Sequence, residues 1–240
     1  MRALVLLLIA AIMAIPAHAA ADTAITTADS TAVARPPREK SEFRPTQLIL
    51  PASLIAVGTF GVYNGSFRRF DRWVNDGMTS IRGRHRIGAD DYLQYLPAAA
   101  YLGMGAVGVP CRHRFRERAA AGVTAYLAMG IITGAMKYGI HERRPGTGER
   151  NSFPSGHAAK VFTGAELTRI EYGLWPGIGA YTVAAGVAFL RLYNGRHWFN
   201  DVVAGAGVGI LSARIGYWML PVYRKWFGWH DSPASASLVA

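Results

Sequence analysis

Two histidines, one carboxylate and three cations lie within 65 residues of one another, between Lys137 and Asp201, at spacings that suit phosphoryl chemistry. His197 and Asp201 stand four residues apart. On one helical turn the carboxylate can hold one imidazole nitrogen, fix the tautomer and leave the other nitrogen nucleophilic. His157 is then available to protonate a leaving oxygen as general acid, although residue types alone leave open which histidine attacks. Lys137, Arg144 and Arg191 supply positive charge, and the planar fork of arginine suits a phosphoryl group better than a lysine point charge. At an effective dielectric near 20 each close charge pair is worth about 4 kcal/mol, so three buried cations make sense with a polyanion among them. Pro154-Ser155-Gly156-His157 reads as the opening of a helix. Ser155 caps it, Gly156 allows close approach of backbone, and free N–H groups with the helix dipole face an anion.

These groups need elements whose ends meet. Apolar stretches of near-spanning or spanning length cover Thr46–Asn64, Asp91–Pro110, Ala119–Ile140, His157–Tyr172, Leu174–Asn194 and Phe199–Tyr223. If these segments alternate in direction, the ends near Lys137, His157, Arg191 and His197 converge on one membrane face. The expected fold is therefore all-α: an integral-membrane bundle of six helices with the active site at one face, forming a single domain over 46–223 and followed by a tail, 224–240. Between the first two segments, Phe67 to Ile81 sets aromatics and arginines at helical spacing, which suggests a helix lying in the interface. Arg2, the apolar run Ala3 to Ile15 and Ala17-His18-Ala19 read as a signal peptide or an uncleaved anchor over 1–20, with a polar lead-in over 21–45.

The same residues resemble the type-2 phosphatidic acid phosphatase family, the lipid phosphate phosphatases, whose signature has three parts: K-x6-R-P, then P-S-G-H, then S-R-x5-H-x3-D. Lys137, Arg144 and Pro145 match the first part, Pro154 to His157 the second, and Arg191, His197 and Asp201 the third. His197-Trp198-Phe199-Asn200-Asp201-Val202-Val203-Ala204-Gly205 is similar to the family's continuation into its last helix. Leu190 departs from the pattern, standing where the family commonly has serine. The resemblance implies His197 as the nucleophile of a phosphohistidine intermediate, Asp201 as its partner and His157 as general acid. It also implies Lys137, Arg144, Ser155, Gly156 and Arg191 around the phosphate, and a reaction without metal or other cofactor. Vanadium-dependent haloperoxidases share the signature but are soluble and larger. A protein that only binds a lipid phosphate would need the cations but not the two histidines and the aspartate.

Composition agrees with a membrane setting. Hydrophobic residues make up 51% of the 240-residue chain and charged residues 17%, with 27 glycines, a mix suited to closely packed membrane helices. The net charge of +11 comes from arginines in short clusters between apolar stretches, which fits lipid or phosphorylated partners rather than nucleic acid. The lone cysteine, Cys111, excludes an intrachain disulfide and a cysteine-built zinc site. His141-Glu142 lacks a third ligand at metal spacing. Gly205, Gly207 and Gly209 belong to helix packing, and Lys160, Glu166, Arg169 and Glu171 read as a polar helix face or as interfacial groups.

The turn Arg112 to Arg118 is expected on the cytoplasmic side, which puts the site in the periplasm of a bacterial inner membrane. Arg68 to Arg86 would lie on the site's own side, against that rule. The expected substrate is undecaprenyl diphosphate or a phosphate of lipid A ahead of phosphatidylglycerol phosphate and phosphatidic acid. The sequence does not address the oligomeric state.

Overall fold

The computed structural model describes residues 43–229. The leader, nearly all of the lead-in and the end of the tail lie outside the described residues. Among those described, the chain folds into helices without a strand: α1 (Ile49–Tyr63), α2 (Gly65–Arg82), α3 (Asp90–Leu93), α4 (Leu96–Gly103), α5 (Phe115–Ile140), α6 (Gly156–Tyr172), α7 (Leu174–Tyr193), α8 (Phe199–Trp218) and α9 (Leu220–Trp226). A single 3-10 turn, Pro45–Leu48, leads into α1.

Local chemistry sets several of these limits. The Asn64 side chain accepts from the Ser66 and Phe67 N–H groups at 3.0 Å, so it ends α1 and caps α2 in one position. The Ser155 hydroxyl accepts from Ala158 N–H at 3.4 Å and opens α6, as its sequence context predicts. Asp91–Pro110 differs from expectation. Instead of one spanning helix it forms α3, α4 and a run of turns. Pro97 has no N–H for an internal helical bond and stands at the start of α4, while Gly103, Gly105 and Gly108 weaken the helix that would continue it. Gly108, with φ of 88°, adopts a conformation that excludes continuation.

Helix α6 is the centre of the molecule. Apart from Lys160, each of its residues from Ala158 to Tyr172 is buried. It packs on α8 with almost no side chain between the backbones. A Cβ on Gly205 would stand 2.6 Å from the Ser155 carbonyl oxygen, and one on Gly209 would stand 2.5 Å from that of Ala159. On the other side of α8, Gly58 of α1 lies equally close to Ala204 and Asn200.

Glu166, Arg169 and Glu171 of α6 are accordingly not the exposed or interfacial face that the sequence suggests, whereas the half-exposed Lys160 fits it. Glu166 is enclosed by Arg169 at 2.7 Å, Arg214 at 2.7 Å and the Tyr181 hydroxyl at 2.8 Å. Glu171 accepts from the His113 backbone and the Tyr217 hydroxyl. A central helix carries charge only when each charge finds a partner, and both carboxylates do.

Among the described residues three helical stretches are long and apolar enough to cross a membrane: Pro45–Tyr63, Phe115–Ile140 and Phe199–Trp226. On α5, Val123, Leu127 and Ile131 form a stripe at four-residue spacing, each more than 60% exposed. A stripe of large apolar side chains, one on each successive helical turn, is costly in water and natural against lipid.

Candidate active site

The site is assembled where the end of α5, the start of α6, the end of α7 and the start of α8 come together. His197 lies just outside α8 and Asp201 in its first turn, so their spacing is realised across a helix N-terminus rather than within a helix. His197 Nδ1 is 3.2 Å from Asp201 Oδ2, and the same oxygen accepts from Trp198 N–H at 2.8 Å and from the Ser152 hydroxyl at 2.5 Å. Asp201 is fully buried and His197 is 3% exposed. With Nδ1–H donating to the carboxylate, Nε2 is the nitrogen left with a lone pair. Burial, and then the charges of Arg191, Arg144 and Lys137, hold the His197 imidazole well below its usual pKa. The ring is therefore neutral, the form a nucleophile requires.

The three cations gather around this ring, but each has protein partners of its own. Lys137 Nζ donates to the Asn151 and Pro154 carbonyls at 2.5 and 2.9 Å. Arg144 Nε donates to Asn151 Oδ1 at 2.7 Å. Arg191 Nη1 lies 2.5 Å from Asp90 Oδ2 and 3.7 Å from Asp91 Oδ1. The expectation that these charges need a polyanion to be stable is thus corrected: Asp90, two loop carbonyls and the Asn151 side chain, with Glu149 at 3.8 Å from Arg144, already hold them. An incoming phosphate exchanges some of these partners rather than supplying the first.

His157, on the first turn of α6, has Nε2 3.0 Å from Asp91 Oδ1. Asp90, Asp91 and His157 bring their ligand atoms within 4.8 Å of one another, a spacing a divalent ion could use. The Arg191 guanidinium already contacts both of these aspartates. Ser155 and Gly156 stand at the N-terminus of α6, and Ser155 N–H donates to the Asp201 carbonyl at 2.9 Å, so the opening of α6 is joined directly to the first turn of α8.

Behind Asp201 lies a second layer of acid. Glu142 and Asp71 are both buried, with Asn200 between them. Its side-chain amide donates to the Glu142 carboxyl oxygens at 3.3 and 3.5 Å, and its backbone N–H donates to Asp71 at 3.3 Å. Burial, followed by the Asp201 charge, pushes Glu142 up to about 8, and burial pushes Asp71 up to about 7. Among the described residues Asp201 Oδ1 has no hydrogen-bond donor when Glu142 is ionised, which is the arrangement a protonated Glu142 carboxyl would complete.

Every site residue singled out in the sequence is thus at or beside one end of the bundle. The residues that sequence reasoning missed are Ser152, Asn151, Asp90 and Asp91. Ser152 and Asn151 immediately precede a recognised motif, and the Asp90-Asp91 pair at the foot of an apolar run was a usable signal.

Residues 118–225 match the family model described as the PAP2 superfamily. The chain is 34% identical over 154 residues, 61% of its length, to a lipid A 1-phosphatase of Porphyromonas gingivalis, covering 35% of that protein. It is 38% identical over 68 residues, 27% of its length, to an undecaprenyl-diphosphatase of Sulfolobus acidocaldarius, covering 33% of that one. The chain thus spans about a third of the length of these curated relatives. Among solved structures it is similar, at a TM-score of 0.48 and 18% identity, to a transmembrane PAP2-type phosphatidylglycerolphosphate phosphatase from Bacillus subtilis, over 73% of this chain and 96% of that one.

Proposed function

We propose that this chain, whose residues 118–225 belong to the PAP2 superfamily, is a membrane phosphatase that removes phosphate from a lipid phosphate or lipid diphosphate. His197 Nε2 attacks the phosphorus while Asp201 holds Nδ1–H and stabilises the imidazolium that forms. The bond from phosphorus to the leaving oxygen breaks, and His157 gives that oxygen its proton. Water then hydrolyses the phosphohistidine, releasing inorganic phosphate. Lys137, Arg144, Arg191, the Ser155 hydroxyl and the Gly156 N–H face the developing charge on the phosphoryl oxygens.

The observation that carries this reading is the neutral, buried His197 held through Nδ1 by Asp201 within a ring of three cations. A protein that only bound phosphate would need the cations but not the oriented imidazole. Undecaprenyl diphosphate and lipid A phosphates are favoured as substrates by the names of the relatives. The setting proposed is a bacterial inner membrane with the site on the periplasmic side. No resident metal is required, since Arg191 already contacts both Asp90 and Asp91.

The test is turnover together with trapping of the intermediate. Wild-type protein incubated with radiolabelled lipid phosphate and rapidly quenched without acid should retain an acid-labile label, and His197→Ala should lose both label and turnover by several powers of ten. Near-normal hydrolysis by His197→Ala would overturn the mechanism.

A further inference from the structure

Sharing Arg191 with the ring of cations is a cavity of about 210 Å³ whose walls include Arg86, Arg191, Arg196, Asp90 and Asp91. We infer that this cavity is a second anion subsite, with Arg86 and Arg196 holding the leaving phosphate of a lipid diphosphate while the terminal phosphate sits at His197. This rests on the phosphatase reading above and deepens it, by choosing a phosphoanhydride over a simple phosphoester.

Three observations converge. The first is charge. The two aspartates in the wall are already engaged, Asp90 by Arg191 and Asn194, and Asp91 by Arg191 and His157. Among the described residues neither the Arg86 nor the Arg196 guanidinium has a side-chain hydrogen bond or an ion pair, so two of the arginines that line the cavity carry charge without a protein partner. Arg196 lines the cavity and is also close enough to Arg144 for its charge to act there.

The second observation is construction. Arg86 sits on the loop between α2 and α3, and that loop is fixed to the end of α7 at two points. Asn194 accepts from Ile87 N–H at 3.0 Å and donates to the Ile87 carbonyl at 2.8 Å, and Arg82 Nη1 donates to the Tyr193 carbonyl at 2.8 Å. A buried amide that clasps both polar groups of one residue's backbone holds the neighbouring Arg86 at the cavity. At Gly195, φ is +62° and a Cβ would stand 2.7 Å from the Arg82 guanidinium, so the tight turn that brings Arg196 round also makes room for this clasp.

The third is direction. Asp91 both lines the cavity and holds His157, the group assigned to the leaving oxygen. The cavity is therefore on the leaving-group side. In the step proposed, His197 Nε2 bonds to the terminal phosphorus, the bond from that phosphorus to the bridging oxygen breaks, and the electron pair stays on the bridging oxygen of the departing lipid monophosphate. That product carries more negative charge than an alcohol would, and the two arginines stabilise it as it forms.

The experiment compares a polyprenyl diphosphate with the polyprenyl monophosphate of the same chain length, in the same detergent micelles, for wild type, Arg86→Gln, Arg196→Gln and the double variant. The ratio of kcat/KM for diphosphate over monophosphate should fall about tenfold in each single variant and further in the double one, from the loss of charged hydrogen bonds. Arg86→Lys and Arg196→Lys should recover part of it. A ratio within about twofold of wild type in the double variant overturns the subsite.

A second measurement is independent of turnover: binding of inorganic pyrophosphate and of inorganic phosphate to the His197→Ala protein by calorimetry. Pyrophosphate should bind more tightly, and the double arginine change should remove that advantage. Equal binding of the two anions before the change also overturns the subsite. Hydrolysis of both lipids with an unaltered ratio would retain the phosphatase and discard the subsite. Arginine-dependent pyrophosphate binding without hydrolysis of either lipid would do the reverse.

Discussion

The Ser152 hydroxyl lies 2.5 Å from Asp201 Oδ2, the oxygen that also receives the His197 Nδ1 proton. In the proposed mechanism Ser152 therefore acts on the nucleophile at one remove, by fixing the carboxylate that fixes the ring. Removing the hydroxyl in Ser152→Ala should lower kcat by about tenfold, the equivalent of about 1.4 kcal/mol, and leave KM close to wild type. Ser152→Thr, which keeps the hydroxyl, should recover most of the loss. Steady-state kinetics on a soluble short-chain lipid phosphate checks both, and an unchanged kcat in Ser152→Ala would remove Ser152 from the account.

Metal independence follows from the place of Arg191. Its guanidinium contacts both Asp90 and Asp91, the carboxylates that with His157 come nearest to metal-ligand geometry. Hydrolysis should persist in excess chelator. Loss of activity in chelator, restored by adding magnesium, would mean that Arg191 leaves this position during the reaction and that an ion replaces it.

Glu142 gives a pH signature in stability. Its folded-state pKa is raised from 4.5 to about 8. A carboxyl raised in this way binds its proton more tightly in the folded protein, so its contribution to stability is complete below 4.5 and is lost as pH rises through about 8. Asp71, raised to about 7, adds to the same trend. The melting temperature of wild type should therefore fall from about pH 5 to about pH 9, and it should fall less in Glu142→Gln, which holds the neutral form permanently. Parallel curves for the two proteins would show that Glu142 ionises without resistance in the folded state.

Sidedness can be read by accessibility. The turn before α5 and the site at its far end are separated by a 26-residue helix, long and apolar enough to set them on opposite sides of a membrane. Arg68 and Arg82 lie on the site's side, through their contacts with Glu142 and the Tyr193 carbonyl, and there they can meet lipid phosphates in the interface. The short basic turn at 112–118 carries the orientation rule more directly, because it joins the elements on either side of it. In a Cys111→Ser background, Thr147→Cys should react with an impermeant thiol reagent in intact spheroplasts. Arg116→Cys should react only after lysis. The reverse pattern would put the site in the cytoplasm and remove periplasmic lipids from the candidates.

Much of this was legible in the chain because the relevant signals are local. Uninterrupted apolar runs marked α1, α5, α7 and α8 to within a few residues, and the spacing of Lys137, Arg144, His157, Arg191, His197 and Asp201 marked the site. Asp91–Pro110 was misread because average apolarity does not register where a proline and successive glycines break the backbone. The partners of the cations were invisible for a different reason. Asp90 is 101 residues from Arg191, and only the packing of α3 beside α7 reveals that they meet. The buried charges of α6 were misplaced for the same reason, since Glu166 finds Arg214 on a helix that lies next to it in space and far from it in sequence.

The glycine contacts between α6 and α8 bear on how such an enzyme could change its choice of substrate. With backbone pressed on backbone at Gly205 and Gly209, the spacing between the start of α6 and the start of α8 has no room to narrow. In the proposed reaction the groups at these two helix starts then form a gauge, set for one phosphoryl group and indifferent to what is attached to it. Discrimination must then reside in pieces that can be exchanged without disturbing the gauge, and the α2–α3 loop bearing Arg86 is one, secured by an asparagine clasp rather than by the helix core. A lineage could replace that loop and acquire a different lipid while the chemistry stayed untouched.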